Sequence, residues 1–221
     1  MHEQRDLPGE TPERHGRVAG LLLAAGQGSR LGRPKALVEV GGRTLAERAV
    51  TMLRGGGTDP VVVVTGAAPV SLPGVITVHN PDWPTGMGSS LRAGLSTLPA
   101  GHGAAVIALV DQPLIGPEVV RRLIDAYLHG AEVAVACYEG RPRNPVLIAG
   151  AHWAAAAAAA SGDSGARAFL RTRQDLVTAV ECGDIARPDD LDTPEDLARI
   201  AGLIDGRGMV KGAEPRCPSG A

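Results

Sequence analysis

Short apolar runs alternate along the chain with segments whose apolar positions repeat at helical spacing. The runs are continuous in Val, Ile, Leu and Ala, and this pattern predicts parallel strands that are buried on both faces. The expected strands are Val18–Leu23, Pro60–Thr65, Gly74–Val78, Ala104–Val110, Glu132–Cys137, Pro145–Ile148 and Leu176–Val180. The expected helices are Leu45–Leu53, Met87–Leu98, Pro117–Leu128, Gly150–Ala160, Ser164–Arg171 and Pro194–Leu203. This strand–helix alternation predicts an α/β fold, a three-layer α/β/α sandwich around a mostly parallel sheet.

The two ends of the chain lack this pattern. Residues 1–16 and 205–221 are polar, rich in charge, proline or glycine, and without periodicity. We expect a disordered amino-terminal arm and a disordered carboxy-terminal tail. Residues 17–204 then form one domain, which suits a chain of 221 residues.

Composition narrows the possible functions. The net charge of −2 and an aromatic content of 2% argue against a nucleic-acid partner. The apolar runs are too short to span a membrane. Val18–Ala25 resembles the apolar part of a signal peptide, but the basic, glycine-rich stretch that follows opposes export. The three cysteines are widely separated and form no metal-binding or disulfide pattern, so we expect a cytoplasmic protein.

A glycine-rich, basic loop follows the first expected strand. It reads LLLAAGQGSRLGRPK from Leu21 to Lys35 and holds three glycines and three cations. Glycines let backbone N–H groups converge on an anion, and Arg30 and Lys35 can neutralise phosphate charge. Neither the GxGxxG nor the GxxxxGK[ST] fingerprint is present. The loop therefore predicts a phosphate site of another kind.

The pattern LxxAAGxGxRxGxPK resembles the signature loop of nucleotidyltransferases with the nucleotide-diphospho-sugar transferase type of Rossmann-like fold. Within that group the similarity is to the molybdenum cofactor cytidylyltransferases, and it extends from about Val18 to Leu203. The resemblance implies that the loop wraps an NTP, with Arg30 and Lys35 as the catalytic cations on the triphosphate. The nucleotide-binding residues that it implies in this loop are Ala24, Ala25, Gly26, Gly28, Arg30 and Lys35.

A second motif, NPDWPTGMGSSL, runs from Asn80 to Leu91. Alone, it is typical of a loop that ends in a capped helix start. It also resembles the family's NPxWxxGMxxSL element, whose glycine and serine line the base and ribose pocket. That resemblance implies nucleotide contacts, and leaves Trp83 as a core or lid residue. The implied contacts come from Gly86, Gly88, Ser89 and Ser90.

Two aspartates complete the expected site. Asp111 ends an apolar strand, where ligands collect in open α/β sheets, although an aspartate there can also cap a turn. The corresponding family aspartate holds a divalent metal. Asp190–Asp196 resembles the family's DxDTPxD, which implies a second metal contact from Asp192, with Asp190 in reserve. Two carboxylates plus triphosphate oxygens suit Mg²⁺.

The chain departs from the family on the acceptor side. Residues 140–146 read GRPRNPV where GxPGHPV is usual, so Asn144 replaces a histidine and cannot titrate near neutral pH. Residues 162–167 resemble GDxGAR, in which Asp163 and Arg167 either reach substrate phosphate or form a structural pair. Asn144, Asp163 and Arg167 are the implied acceptor-binding residues.

The resemblance implies transfer of CMP from CTP to the phosphate of molybdopterin, with release of pyrophosphate. Ala25 stands where guanylyl relatives usually carry glycine, and its methyl group could exclude a purine. Two alternatives stay open. One is an NAD(P)H-dependent oxidoreductase of the nicotine-blue type in the same family, and the other is a nucleotide-binding chaperone for a molybdoenzyme client. The histidines lack zinc-ligand spacing, and no GxSxG elbow indicates a hydrolase.

Overall fold

The computed structural model describes residues 16–206. The expected arm therefore lies outside the described residues except for Gly16, and the expected tail except for Asp205 and Gly206. Cys217 also lies outside them. Within this range, no helix has the length and hydrophobicity that a bilayer span requires.

Every expected strand and helix is present, with ends that shift by up to a few residues. The strands are β1 (Val18–Leu23), β2 (Glu39–Val40), β3 (Arg43–Thr44), β4 (Val61–Thr65), β5 (Ile76–His79), β6 (Ala104–Leu109), β7 (Val133–Tyr138), β8 (Arg141–Ala149) and β9 (Val177–Glu181). The helices are α1 (Leu45–Gly55), α2 (Met87–Thr97), α3 (Pro117–Leu128), α4 (Trp153–Ala159), α5 (Arg167–Thr172) and α6 (Pro194–Gly206).

Seven strands form one sheet in the order β5-β4-β1-β6-β8-β7-β9. Alternate residues of β1 enter different cores: Leu22 packs on the face covered by α1, α3 and α6, and Leu21 on the face covered by α2, α4 and α5. Apolar side chains on both faces explain why the strands read as continuous apolar runs. The three-layer α/β/α prediction is confirmed.

One strand differs from the parallel arrangement that the apolar runs suggest. β8 pairs antiparallel with both β6 and β7, and it follows β7 through a turn at Glu139 and Gly140. Glu139 has a φ of 53° and Gly140 a φ of 73°. The beginning of β8 consequently lies at the edge where the parallel strands end. A two-stranded ribbon of β2 and β3 was also not predicted.

Side chains cap the start of α6. At α6, the Asp196 amide donates to Thr193 Oγ1 at 3.2 Å, and the Thr193 amide donates to Asp196 Oδ2 at 3.1 Å. This reciprocal capping sets the start of α6 at Pro194. It also fixes the chain just after Asp192.

Candidate active site

A cavity of about 380 Å³ opens at the edge of the sheet where β1 and β6 end. The glycine-rich loop forms one wall, and the loop between β5 and α2 forms another. Asp111 reaches it from the end of β6, and Lys35 from the end of the glycine-rich loop. This is the position at which open α/β sheets bind ligands.

Two glycines shape the loop in different ways. Gly28 has a φ of 62°, and a Cβ there would collide with the Arg33 carbonyl and lie 3.1 Å from Lys35 Cγ, so the turn requires glycine. A Cβ at Gly26 would meet nothing within 4 Å. Because Gly26 lines the cavity, its missing side chain leaves room for a ligand beside the backbone.

A charged cluster lies at the floor of the cavity. Lys35 Nζ donates to Asp111 Oδ2 at 2.6 Å and also to Asp192 Oδ1. Arg30 approaches the other oxygen of Asp192 at 3.3 Å. The Lys35 side chain is only 17% exposed. Burial alone lowers the pKa of Lys35, but the two carboxylates outweigh it and raise the pKa above its usual value.

Backbone contacts hold the two aspartates in place, although they are far apart in the chain. The Leu191 amide donates to the Asp111 carbonyl at 2.8 Å. Asp196 accepts from the Asp192 amide at 3.2 Å, which ties Asp192 to the start of α6. This role of Asp196 was not predicted, although its spacing from Thr193 is that of a capping box.

Asp190 lies beside the cluster and has a different partner. Gln112 Nε2 donates to Asp190 Oδ1 at 2.9 Å. Burial raises the pKa of Asp190, the Gln112 hydrogen bond opposes this effect, and the charges of Asp111 and Asp192 add to it.

The donor set fits a hard divalent cation. Oδ1 of Asp111 is buried and has no hydrogen-bond partner within residues 16–206, so a strong acceptor is available at the cavity floor. Carboxylate oxygens are ligands that Mg²⁺ and Mn²⁺ prefer. In the same range no three or more His, Cys, Asp or Glu side chains group into a metal cage. Asp111 and Asp192 would therefore share the ion with substrate oxygens and water.

The loop that follows β5 is organised around a buried asparagine. Asn80 Nδ2 donates to Ser89 Oγ at 2.9 Å and to Ser90 Oγ at 3.1 Å, and Asn80 Oδ1 accepts from the Asp82 amide at 3.0 Å. Trp83 and Ser90 line the cavity from this loop. The sequence analysis did not assign a role to Asn80.

A second cavity, of about 500 Å³, adjoins the first and shares Met87, Leu109 and Asp163 with it. It lies over the beginning of β8 and over α5. Asn144 and Arg167 line it. The two cavities together form one continuous cleft.

The sequence-predicted residues divide into those that reach a cavity and those that do not. The residues that line the first cavity are Ala25, Gly26, Gly28, Lys35, Gly86, Ser90 and Asp111. Asn144, Asp163 and Arg167 line the second. Arg30 and Asp192 join the charged cluster through ion pairs. Three further residues that were expected to contact the nucleotide do not line the first cavity, and their role stays a prediction: Ala24, Gly88 and Ser89.

Local packing explains those three positions. Ala24 is buried in the core. A Cβ at Gly88 would meet the Ser161 amide at 2.6 Å, so this glycine lets α2 approach the chain after α4. The Ser89 hydroxyl lies 2.9 Å from the carbonyls of both Asp82 and Gly86. Gln27, Ser29, Trp83, Pro84 and Met87 line the first cavity but were not predicted to do so.

Comparison with known proteins identifies the family of this fold and site. The model of the MobA-like NTP transferase domain matches residues 20–177. The chain belongs to the MobA-like NTP transferase family. The matched region contains the glycine-rich loop, the loop between β5 and α2, Asp111 and both cavities, whereas Asp192 follows it.

This MobA-like chain has relatives with different names. It is 40% identical over 199 residues to nicotine blue oxidoreductase of Paenarthrobacter nicotinovorans, covering 83% of this chain and 96% of the relative. The crystal structure of an Rv0371c homologue from Mycobacterium sp. strain JC1 is 30% identical, with a TM-score of 0.77 and coverage of 86% and 98%. Rv0371c from Mycobacterium tuberculosis H37Rv, solved as a manganese complex, is 26% identical with a TM-score of 0.69 and coverage of 84% and 98%.

Proposed function

We propose that this protein is a divalent-metal-dependent nucleotidyltransferase that moves CMP from CTP to the phosphate of molybdopterin or the molybdenum cofactor. The observation that carries the proposal is the cluster of Arg30, Lys35, Asp111 and Asp192 beneath the glycine-rich loop. Two cations and two carboxylates at one cavity suit a triphosphate that binds together with a metal ion. Membership in the NTP transferase family supports this proposal.

The chemistry requires charge control more than a strong base. An acceptor phosphate oxygen forms a bond to the α-phosphorus, the bond between the α-phosphorus and the bridging oxygen breaks, and pyrophosphate leaves with the electron pair. Arg30 and Lys35 bind the triphosphate and offset the repulsion between the two anions. Asp111 and Asp192 would hold Mg²⁺, which supplies further positive charge at the phosphate oxygens when bound. The manganese complex of Rv0371c supports a divalent ion.

The choice of CTP rests on the wall of the first cavity. Ala25 is 6% exposed and lines this cavity. Its Cβ lies against Gly66, where an added Cβ would be 2.8 Å away. The Ala25 methyl group therefore has little freedom to move away from a larger base, which favours a pyrimidine.

The second candidate is the oxidoreductase. The observation that favours it is the 40% identity to nicotine blue oxidoreductase across nearly the whole relative. The Arg143–Asn144 departure lies in the second cavity, so a different acceptor could occupy it. In that reaction a nicotinamide cofactor would supply the electrons.

One assay separates the two candidates. The protein is incubated with molybdopterin, a quinone-like dye, Mg²⁺ or Mn²⁺, and either CTP, GTP or NADPH, while pyrophosphate release and nicotinamide absorbance are followed together. We expect pyrophosphate release with CTP, dependent on both metal and acceptor. Nicotinamide oxidation with a quinone-like dye, without pyrophosphate release from any NTP, would favour the oxidoreductase instead. A nucleotide-binding chaperone would bind CTP without turnover.

A further inference from the structure

The second cavity carries an excess of positive charge, whereas the cations at the first cavity are paired with carboxylates. Arg143, at the beginning of β8, lines it together with Arg167 and Arg171 of α5. Arg167 and Arg171 are four residues apart and therefore share a helix face. We call these three residues the arginine trio. None of them lines the first cavity.

The arginine trio is exposed and unpaired. Within residues 16–206, no hydrogen bond or ion pair occupies any of its guanidinium groups, and the Asp163–Arg167 pair considered from the sequence does not form. Nearby, Arg173 shows the usual alternative, because it pairs with Asp175 at 2.9 Å. Three cations at one cavity repel each other, and a bound anion relieves that repulsion. Asp163, the acidic side chain of the lining, lies where the two cavities join.

The floor of the same cavity is apolar. Leu109, Val135, Val146 and Leu170 form it. Its volume of about 500 Å³ is within the usual range for a small-molecule site. An isolated inorganic anion gains nothing from such a floor, whereas a ring system buries its faces there.

The geometry points to an acceptor with an apolar body and at least two anionic groups. The phosphate that receives the nucleotidyl group must reach the first cavity, which no member of the arginine trio lines. The trio is therefore available to a second anionic group on the same molecule. That one of the anionic groups is the phosphate that receives the nucleotidyl group rests on the proposed function. That the second cavity binds a ligand with an apolar body and several negative charges does not.

Arg143 is a specificity-determining member of the trio. The family pattern usually has glycine at this position. Arg143 therefore adds a charge to the second cavity, and it does not line the first. Guanidinium groups bind planar anions through paired hydrogen bonds. We expect Arg143 and Arg171 to select between acceptors of one and two negative groups.

The test is direct binding to simple probes, measured by calorimetry on the full chain. Naphthalene-1,5-disulfonate carries two anionic groups on an apolar body, naphthalene-1-sulfonate carries one, and inorganic sulfate has no body. We expect the disulfonate to bind at least about tenfold more tightly than the other two, with an affinity that falls as salt rises. Arg143→Gln and Arg171→Gln should each reduce disulfonate affinity about five- to tenfold and change monosulfonate affinity less.

Arg173→Gln is the matched control, because it removes the same charge two residues from Arg171 but outside the cavity lining. It should leave disulfonate affinity unchanged. Equal affinity for the two sulfonates, or disulfonate binding that neither arginine variant weakens, would overturn the inference. Circular dichroism checks that each variant is folded.

Transfer kinetics distinguish this inference from the proposed function. If the disulfonate binds as expected but no NTP yields pyrophosphate, the proposed function is wrong and the ligand class stands. If transfer occurs, Arg143→Gln and Arg171→Gln should raise the KM for the acceptor and leave the KM for CTP unchanged. An unchanged acceptor KM in both variants would refute the inference while transfer remains.

Discussion

Lys35 connects the two aspartates that would share a divalent ion. Its ammonium group contacts both Asp111 and Asp192 from an almost buried position. In the absence of substrate, this contact offsets the repulsion between the two carboxylates. In the proposed reaction, the same cation faces the triphosphate, because Lys35 also lines the first cavity.

Removing this cation should weaken nucleotide use. We expect Lys35→Ala to raise the KM for CTP or lower kcat by about tenfold or more, which corresponds to at least about 1.4 kcal/mol. Steady-state pyrophosphate release measures both constants. Arg33→Ala is the matched control, since Arg33 belongs to the same loop but does not line the cavity. Identical kinetics for Lys35→Ala and wild type would exclude this loop from the site.

Asp190 should make stability depend on pH. Because its folded-state pKa is raised, its ionisation above about pH 4 destabilises the folded state, whereas below that pH it is protonated in both states. Asp190→Asn should therefore raise the Tm at pH 7, by about 2–4 °C for each kcal/mol regained. The difference should vanish near pH 3. Exposed Asp125→Asn is the control, and a gain that persists at pH 3 would contradict this explanation. Thermal melts in EDTA measure it.

Ala25 carries the prediction about donor choice. Ala25→Gly removes the methyl group that we place against the base, so GTP use should increase while CTP use falls modestly. The expected shift in the ratio of kcat/KM values is about 1–3 kcal/mol. Glycine also loosens the loop, so the ratio and not either rate alone is the measure. An unchanged ratio, or a wild-type protein that already prefers GTP, would remove Ala25 as the selector.

At the scale of elements, the loop between β5 and α2 depends on Asn80. Its amide joins the buried hydroxyls of Ser89 and Ser90 to the chain at Asp82. Asn80→Ala leaves these buried groups without their partner, at a cost of about 1–3 kcal/mol. Since Trp83 belongs to the same loop and lines the first cavity, the KM for CTP should also rise.

Thermal melts and CTP kinetics together test this role. Ser96→Ala is the control, because Ser96 is an exposed residue of α2 whose hydroxyl donates to the Ala93 carbonyl of the same helix at 2.9 Å. Ser96→Ala should change neither the Tm nor the KM for CTP. If Asn80→Ala lowers stability but leaves the KM for CTP at the wild-type value, the loop does not position nucleotide.

The direction of β8 shows where sequence reasoning reaches its limit. Periodicity located the buried strands, because residues such as Leu21 and Leu22 are apolar toward both cores. It could not assign strand direction, because the buried part of β8, Pro145–Ile148, has the same apolar pattern as the parallel strands. That direction brings Arg143 and Asn144 to the edge where β6 ends. The motif resemblance had associated Asn144 with the acceptor, but only the hairpin explains its position.

The site residues likewise differ in whether the sequence alone predicts them. Gly26, Lys35 and Asp111 were predictable because each belongs to a local motif at a strand end. Arg143 and Arg171 were not, because the cavity that they line brings together segments distant in the chain. Asn80 belongs to a motif, but the motif does not show that its amide holds Ser89 and Ser90. Ser89 shows the converse case: its motif predicted a ligand contact, whereas its hydroxyl is engaged within its own loop.

At the scale of the whole molecule, both cavities that carry the proposed functions lie at one edge of the sheet. The first cavity and the second, arginine-lined cavity adjoin there, and Asp163 lines both. Family membership makes NTP chemistry the expected use of the first cavity. The similarity to nicotine blue oxidoreductase makes the occupant of the second cavity the feature that distinguishes the two candidate reactions.

The most direct test follows the α-phosphate itself. Wild type and Asp111→Asn are incubated with [α-³²P]CTP, molybdopterin, Mg²⁺, NADPH and a quinone-like dye that can accept electrons, and label in molybdopterin is measured. We expect label in the acceptor with wild type and at least about a hundredfold less with Asp111→Asn, which keeps its circular dichroism spectrum. Asp192→Asn should act in the same direction and non-additively. Equal labelling by wild type and Asp111→Asn, or an unlabelled acceptor while NADPH is consumed, would contradict the nucleotidyltransferase assignment.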